Sequence, residues 1–220
     1  KLKEKESFIK SKLSEDISGI QRIYASMGFN FTKVKTKIEK FSGNRVNLLY
    51  VLEKGSKTSI SKINFIGDKK IRDRRLRDVI VSEEDKFWKF ISRNTSLSST
   101  NIDLDKRLLS NYYKSLGYYD VQVVSSNAEI SSDNKTTLTY NINAGIRYRI
   151  TKISTDVSSV FDKKLFSPLE KDFNKNIGKY YSPFRVKKLL DEVDTLIINN
   201  DLQFIEHSVN EIISGESIEV

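Results

Sequence analysis

The sequence predicts an α+β fold made of tandem repeats, in each of which one strand is followed by two helices and two further strands. A nine-residue segment that ends a helical pattern occurs twice, and after each copy the apolar spacing changes from that of a helix to that of a strand. A further glycine follows each copy at nearly the same distance. We therefore expect each repeat to form a three-stranded mixed sheet covered by two helices.

The repeated segment occupies residues 21–29 and residues 110–118, so that Gly28 and Gly117 lie 89 residues apart. Apolar side chains recur at helical spacing before each glycine: Leu13, Ile17, Ile20, Tyr24 and Met27 in the first copy, and Leu104, Leu108, Tyr112 and Leu116 in the second. These residues are expected to form the buried faces of two helices. A glycine after the last apolar position is typical of a helix that ends in the left-handed conformation.

Strand patterns follow each of these glycines, and alternation of exposed and buried positions is their signature. The paired segments are residues 32–40 and 46–52 in the first copy, and residues 121–130 and 137–142 in the second. Gly55 and Gly145 come next, 90 residues apart, and a new strand pattern starts after each, over residues 59–66 and 148–155. The order of elements is therefore the same in both copies.

A third copy is fainter. Its long helix is predicted from the spacing of Val186, Leu189, Leu190, Val193 and Ile197. The following strand is expected over residues 202–209, and Asp201 stands where the other copies have glycine. The chain is thus predicted to hold a partial repeat over 1–57, a complete repeat over 58–146 and a nearly complete repeat over 147–220.

The composition argues against an enzyme. The chain has no cysteine and a single histidine, His207, which is expected to lie half-exposed on a strand. Thiol chemistry is excluded, and a metal-binding set of histidines and cysteines is lacking. Its glycines are isolated and form no phosphate-binding loop. We expect no catalytic residues, no metal and no cofactor. The start of the chain is charged and resembles no signal peptide, so we expect a fragment of a longer protein.

The net charge of +9 makes a basic nucleic-acid-binding module the alternative from a different functional class. The charge is, however, graded along the chain. It is +7 over residues 1–60, +3 over residues 61–146 and −1 over residues 147–220. Nucleic-acid binding usually needs a concentrated basic patch, so this distribution argues against nucleic acid as a partner.

Two local motifs have open interpretations. Lys33, Lys35 and Lys37 occupy successive outward positions of a predicted strand, where they could attract anionic lipid or acidic segments, or could block the addition of a foreign strand to a sheet edge. An aromatic cluster follows the short helix of the second repeat, at Phe87, Trp88, Phe90 and Ile91. It could anchor a partner or fold back over the end of the core.

The middle copy resembles the polypeptide-transport-associated (POTRA) repeats of outer-membrane protein assembly factors. The resemblance is carried by the stretch 63–80, which contains Phe-Ile-Gly-Asp-Lys-Lys at 65–70, by Phe-Trp-Lys-Phe at 87–90, and by Tyr-Tyr-Lys-Ser-Leu-Gly-Tyr at 112–118. It is similar to the third repeat of such factors. On this basis the three copies correspond to a partial second, a third and most of a fourth POTRA repeat. A TamA-type factor or a translocation porin with the same repeats is a related alternative.

The resemblance implies a periplasmic scaffold that receives unfolded outer-membrane proteins, with the full-length protein anchored in the outer membrane by a barrel absent from this sequence. The implied partners are these unfolded proteins, the lipoproteins of the assembly machinery and, as a further class, periplasmic chaperones. The expected mechanism is β-augmentation, in which an extended segment pairs with the edge of a sheet.

In such repeats the strand after the second helix is expected at the sheet edge. The second repeat has no lysine in this strand, whereas the first has four. We therefore predict that the segment-binding edge consists of Val121, Gln122, Val123, Val124, Ser125, Ser126, Ala128 and Ile130. Lys33, Lys35 and Lys37 would form a secondary, basic edge.

Overall fold

The computed structural model of the chain describes residues 7–43, 45–86, 94–131, 133–158, 161–202, 205 and 207–220. Within them the helices are α1 (Lys10–Ser26), α2 (Asp73–Arg77), α3 (Ser99–Ser115), α4 (Ser167–Asn174) and α5 (Pro183–Asn199). The strands are β1 (Lys33–Phe41), β2 (Arg45–Glu53), β3 (Ser59–Asp68), β4 (Gln122–Ile130), β5 (Lys135–Asn143), β6 (Arg149–Lys152), β7 (Ile212–Ser214) and β8 (Ser217–Glu219). The predicted aromatic cluster at residues 87–91 lies outside the described residues.

The order of elements confirms the predicted fold class. The second repeat runs β3-α2-α3-β4-β5 and its sheet has the strand order β3-β5-β4. The third repeat has the equivalent order β6-β8-β7, in which β6 runs parallel to β8 and β7 runs antiparallel to it. The first repeat contributes α1 and an antiparallel pair, β1 and β2, whose register joins Lys33 to Glu53 and Phe41 to Arg45.

The chain forms two compact units that do not coincide with the repeats. The first comprises Lys1–Ile66, Ile71–Leu108 and Val124–Asn141, and the second comprises Gly67–Lys70, Leu109–Val123 and Ile142–Val220. The expected repeat boundary at 57/58 falls inside the first unit, and the boundary at 146/147 falls inside the second. The predicted repeat bounds stay a prediction.

The buried face of α3 differs from the predicted one by one residue. The predicted residues Leu104, Leu108, Tyr112 and Leu116 are all half-buried. The fully buried residues are instead Asp105, Leu109 and Tyr113, each 0% exposed. Asp105 determines this orientation, because its carboxylate accepts hydrogen bonds from the N–H of Val81 (2.7 Å) and from the hydroxyl of Tyr140. The expectation that Leu116 is buried was wrong for this reason.

The turns after α1 and α3 require glycine. Gly28 has φ +92° and Gly117 has φ +100°, which confirms the predicted left-handed helix ends. A Cβ atom on Gly28 would lie 2.8 Å from Cβ of Ser96, and one on Gly117 would lie 3.0 Å from Cβ of Tyr180. Asp201 also has positive φ, +52°, so it replaces the glycine of the other copies without changing the turn.

The third repeat differs from the prediction after α5. The strand expected over residues 202–209 is absent from the described part of that range, and β7 begins only at Ile212. Two apolar clusters lie within this repeat. One joins Tyr148, Ile150, Tyr181, Val186 and Ile218, and the other joins Phe166, Leu169, Phe173, Leu189 and Leu196. The third sheet is complete, with three strands, although β7 and β8 are short.

Candidate functional site

The strand predicted to bind extended segments lies at the edge of its sheet. In the order β3-β5-β4, one edge is β4 and the other is β3. An edge strand presents a row of N–H and C=O groups that can pair with another chain unless something covers them. Which of the two edges is covered therefore decides where such pairing can occur.

The outer edge of β3 is covered by backbone from the loop before α3. The N–H of Ile60 donates to O of Thr95 (2.7 Å), and the N–H of Leu97 donates to O of Thr58 (2.8 Å). The N–H of Asp85 also donates to O of Ile60 (2.7 Å). These bonds occupy the groups that an added strand would need.

Two side chains cover the outer edge of β3 further along the strand. Oε1 of Glu84 accepts the N–H of Ile63 (3.0 Å), and Nη2 of Arg77 donates to O of Ile63 (2.9 Å). Burial raises the pKa of Glu84, but the hydrogen bond from Ile63 and the cations Lys86 and Arg77 outweigh it, so this pKa lies below its ordinary value. Glu84 is therefore ionised near neutral pH and acts as a permanent acceptor. Sequence periodicity contains no signal for this role.

In the third repeat, the outer edge of the first strand, β6, is covered in the same way. The N–H of Ile150 donates to O of Lys179 (2.9 Å), and the N–H of Gly178 donates to O of Ile150 (2.7 Å). The N–H of Tyr181 donates to O of Tyr148 (2.9 Å). The loop before the long helix thus covers one sheet edge in both repeats, whereas no strand among the described residues pairs with the opposite edge, β4 or β7.

The predicted site residues lie mostly on β4. Val121 precedes the strand and its side chain is buried, with its N–H directed to O of Tyr118. Val123 is half-buried and Val124 is 62% exposed. Other exposed positions are Gln122, Ala128 and Ile130. Ser125 and Ser126 belong to the strand, and their side chains are outside the described part of the structure.

The hairpin after β4 defines which backbone groups face outward. The N–H of Ser131 donates to O of Lys135 (2.8 Å), so Ser131 faces β5. Because bonding direction alternates along a strand, Glu129 also faces β5, whereas Ile130 and Ala128 direct their N–H groups away from it. The hydroxyl of Thr136 donates to O of Glu129 (2.8 Å), which agrees with this phase.

The secondary site lies in a separate sheet. Lys33, Lys35 and Lys37 are exposed residues of β1, which pairs with β2 and not with β4. Nζ of Lys35 lies 2.5 Å from Oε1 of Glu53, and this hydrogen bond lowers the pKa of the Glu53 carboxyl. Nζ of Lys37 lies 2.9 Å from Oε1 of Glu39. The basic row is therefore partly neutralised by neighbouring carboxylates.

The remaining features with possible functions are clusters of metal-ligand side chains, the single histidine and apolar helices. Across the described ranges, no group of three or more His, Cys, Asp or Glu side chains is placed to hold a metal ion. His207 lies outside the described strands, with Nε2 2.7 Å from Oδ1 of Asp194. No helix among the residues described has the length and apolar character needed to cross a membrane.

The comparisons with known proteins agree with these observations. The family described as surface antigen variable number repeat (POTRA) matches residues 1–55 and 58–145. The chain is 22% identical to the outer membrane protein assembly factor BamA of Neisseria meningitidis serogroup B over 98% of this chain and 27% of that protein. It is also 22% identical to BamA of Nitratidesulfovibrio vulgaris over 77% of this chain and 22% of that protein.

Two solved structures are among those matched by this chain. The POTRA3-5 crystal structure of Haemophilus influenzae BamA has a TM-score of 0.49 and 16% identity, covering 97% of this chain and 80% of that one. POTRA1-3 of the periplasmic domain of Omp85 from Anabaena has a TM-score of 0.40 and 16% identity, with the same coverage.

The chain belongs to the POTRA family, as a region of the BamA type. Such regions are the periplasmic parts of an outer-membrane protein, and the predicted periplasmic location is confirmed. The chain spans about a quarter of the length of the BamA relatives. The assignment of the three copies to a second, third and fourth repeat stays a prediction.

Proposed function

We propose that this chain serves outer-membrane protein assembly by pairing its β4 edge with extended segments of unfolded outer-membrane proteins. The observation that carries the proposal is the asymmetry of the second sheet. Backbone and side-chain groups occupy the outer edge of β3 from Thr58 to Ile63, whereas β4 directs N–H groups outward from Ala128 and Ile130. Backbone pairing supplies affinity without demanding a particular sequence, which suits a factor that handles many different proteins.

Other open edges are less suited to this role. β7 has three residues and β4 has nine. β1 presents Lys33, Lys35 and Lys37, which oppose the approach of a strand. β2 is the counterpart of β5, the central strand of the second sheet. The free edge of β2 therefore corresponds to the edge of β5 that pairs with the opening strand β3 in the complete second repeat. β4 is therefore the edge with both the length and the neutral surface that pairing needs.

The test is a titration of backbone-amide NMR signals with an extended peptide copied from a strand of an outer-membrane barrel. A single edge of this kind should bind in the micromolar-to-millimolar range, about −4 to −8 kcal/mol. Ala128→Pro removes an outward N–H without removing a bond to β5, so it should abolish binding with modest loss of stability. Ala128→Ser keeps the N–H and is the matched control.

A second variant tests the role of charge. Val124→Lys should weaken the peptide complex by a few-fold, since it introduces at the exposed edge the residue type that occupies β1. Shifts that concentrate at Lys33, Lys35 and Lys37, or unchanged binding by a folded Ala128→Pro variant, would remove β4 as the binding edge.

We further propose that the chain docks lipoproteins of the same assembly machinery, as the family membership suggests. Purified lipoproteins of the machinery should co-elute with the chain on size-exclusion chromatography. Loss of co-elution with the Ala128→Pro variant would show that they bind at β4. Failure of every lipoprotein to co-elute would contradict this part of the proposal and leave peptide pairing untouched.

A further inference from the structure

The charges of the third repeat are segregated along the sequence. Residues 163–188 contain eight Lys and Arg against two Asp and Glu, whereas residues 189–220 contain eight Asp and Glu and no Lys or Arg. Because the two halves nearly cancel, the net charge of the whole repeat is close to zero. The basic half comprises α4, the turn after it and the first part of α5.

Four cations of the basic half converge on one cavity. A cavity of about 420 Å³ lies where the turn after α4 meets the first half of α5, and Lys175, Lys179, Arg185 and Lys188 line it. A hydrogen bond from Lys175, with further contributions from Lys171 and Lys188, holds the pKa of Asp172 below its ordinary value. The N-terminus of α5 adds the positive end of the helix dipole. Asp172 and Glu192 also line the cavity, so its lining carries four cations against two carboxylates and is net positive.

Two polar atoms in the cavity wall are buried without a hydrogen-bond partner among the described residues. They are Nε of Arg185 and Oε2 of Glu192. Nη1 of Arg185 donates to Oδ1 of Asn176 (3.1 Å), which holds the guanidinium in place. Because solvent does not reach either atom, a ligand in the cavity is expected to contact the lining cations Lys179, Arg185 and Lys188 instead.

The arrangement indicates the chemistry of the ligand. Lys179, Arg185 and Lys188 are separate cations around the cavity, so a ligand that contacts all of them must carry more than one anionic group. A peptide with acidic side chains spreads its carboxylates along the chain, whereas an inorganic phosphate ion concentrates its charge at one point.

The apolar wall supports the same choice. Leu189 and Phe184 also line the cavity, and Phe184 is 65% exposed. Exposed aromatic rings beside arginine are typical of protein interfaces. A flat membrane surface would meet the outermost lysines but would not fill the cavity.

We propose that this cavity binds an acidic segment of a partner protein, with its carboxylates at Arg185, Lys179 and Lys188. The site is independent of β4 and shares no residue with it. Binding at β4 and binding here can therefore fail separately.

The experiment is fluorescence anisotropy of the whole chain with a labelled, blocked peptide of glutamates around a central phenylalanine. Arg185→Gln should weaken binding about tenfold, because it removes a charged hydrogen-bond donor from the cavity. Lys179→Gln and Lys188→Gln should each weaken it about threefold and do not touch Asn176, so they remain informative if Arg185→Gln impairs folding. Lys187→Gln is the matched control, since Lys187 is an exposed neighbour on α5 outside the cavity lining.

The expected pattern is a loss with the three cavity variants and a change of less than about twofold with Lys187→Gln. Equal losses with Lys187→Gln and Lys188→Gln would overturn the proposal in favour of diffuse charge attraction. Full competition by equimolar pyrophosphate would overturn it in favour of an oxyanion site. Binding to phosphatidylglycerol vesicles without binding to the peptide would overturn it in favour of a lipid surface.

Discussion

The glycine turn after α1 and the glycine turn after α3 make the same backbone contacts to the repeat that follows. The N–H of Thr58 donates to O of Gly28 (3.0 Å), and the N–H of Tyr148 donates to O of Gly117 (2.9 Å). In both cases the loop before the next long helix packs on the glycine itself. The two junctions therefore share the same backbone contact.

The side chains at the two junctions differ in kind. At the first, Nδ2 of Asn30 donates to O of Leu97 (3.1 Å), and the hydroxyl of Ser98 donates to O of Ser26 (2.7 Å). These are small polar groups that bond to backbone carbonyls. Each therefore adds a hydrogen bond to those of the backbone.

The second junction uses aromatic side chains at the corresponding positions. The rings of Tyr119 and Tyr181 lie 5.1 Å apart, and both hydroxyls donate to the carboxylate of Glu211. The guanidinium of Arg147 lies 3.3 Å from the ring centre of Tyr180. The comparison shows that glycine provides the geometry of a junction, and that the neighbouring side chains decide how strongly it is held.

The largest effects are expected from the glycines. Gly28→Ala and Gly117→Ala should each lower the free energy of unfolding by about 2–5 kcal/mol, since left-handed backbone costs about 1–2 kcal/mol and overpacking about 1–3 kcal/mol. Urea unfolding followed by circular dichroism measures the loss. Gly178 has φ +80° with no atom within 4 Å of a built Cβ, so Gly178→Ala should show the backbone cost alone. Equal losses in all three variants would show that close packing is not what the junctions require.

Tyr181→Phe should have the next largest effect. It removes one of two donors from Glu211 and should cost about 1–3 kcal/mol, the range for a hydrogen bond to a charged group. The same urea experiment measures this loss. Combining the substitution with Glu211→Gln should give less than the sum of the two single losses, because both remove the same interaction. Strict additivity would contradict the coupling.

Ser98→Ala should cost less, about 0.5–2 kcal/mol, although Ser98 also precedes α3 and accepts the N–H of Asn101. Asn30→Ala should cost about 0.5–1.5 kcal/mol through its lost bond to Leu97. Thermal melts of both variants give the comparison. A first junction that loses more from these changes than the second loses from Tyr181→Phe would reverse our ranking of the two.

The smallest effect is expected from alkaline pH. The hydrogen bond to Glu211 and burial raise the pKa of Tyr119 to about 12, from 10 in an ordinary tyrosine. The folded state therefore holds this proton more tightly than the unfolded state, so the contribution is complete below pH 10 and is lost as the pH rises towards 12. Unfolding free energies measured near pH 9 and again above pH 10 should fall more in the parent than in Tyr119→Phe. An identical fall in both would exclude Tyr119 as the source.

The candidate site was only partly accessible from the sequence. The edge position of β4 and the basic row on β1 follow from repeat order and alternation, and the structure places both strands at sheet edges. That Val121 is buried is visible only in the structure, and that Ala128 and Ile130 are the outward-facing donors depends on the turn at Ser131. Closure of β3 by Glu84 and Arg77 involves residues with no periodic relation to the strand.

The sequence by itself determined the repeat, the order of helices and strands, and the left-handed residue at the end of each long helix. These features depend on local sterics and on spacing along the chain, which are visible without a fold. The tertiary structure decided which face of α3 is buried, where β7 starts and which sheet edge is closed. Those outcomes depend on groups distant in sequence, such as Val81 and Tyr140 around Asp105, because a buried carboxylate must be oriented towards the donors that satisfy it.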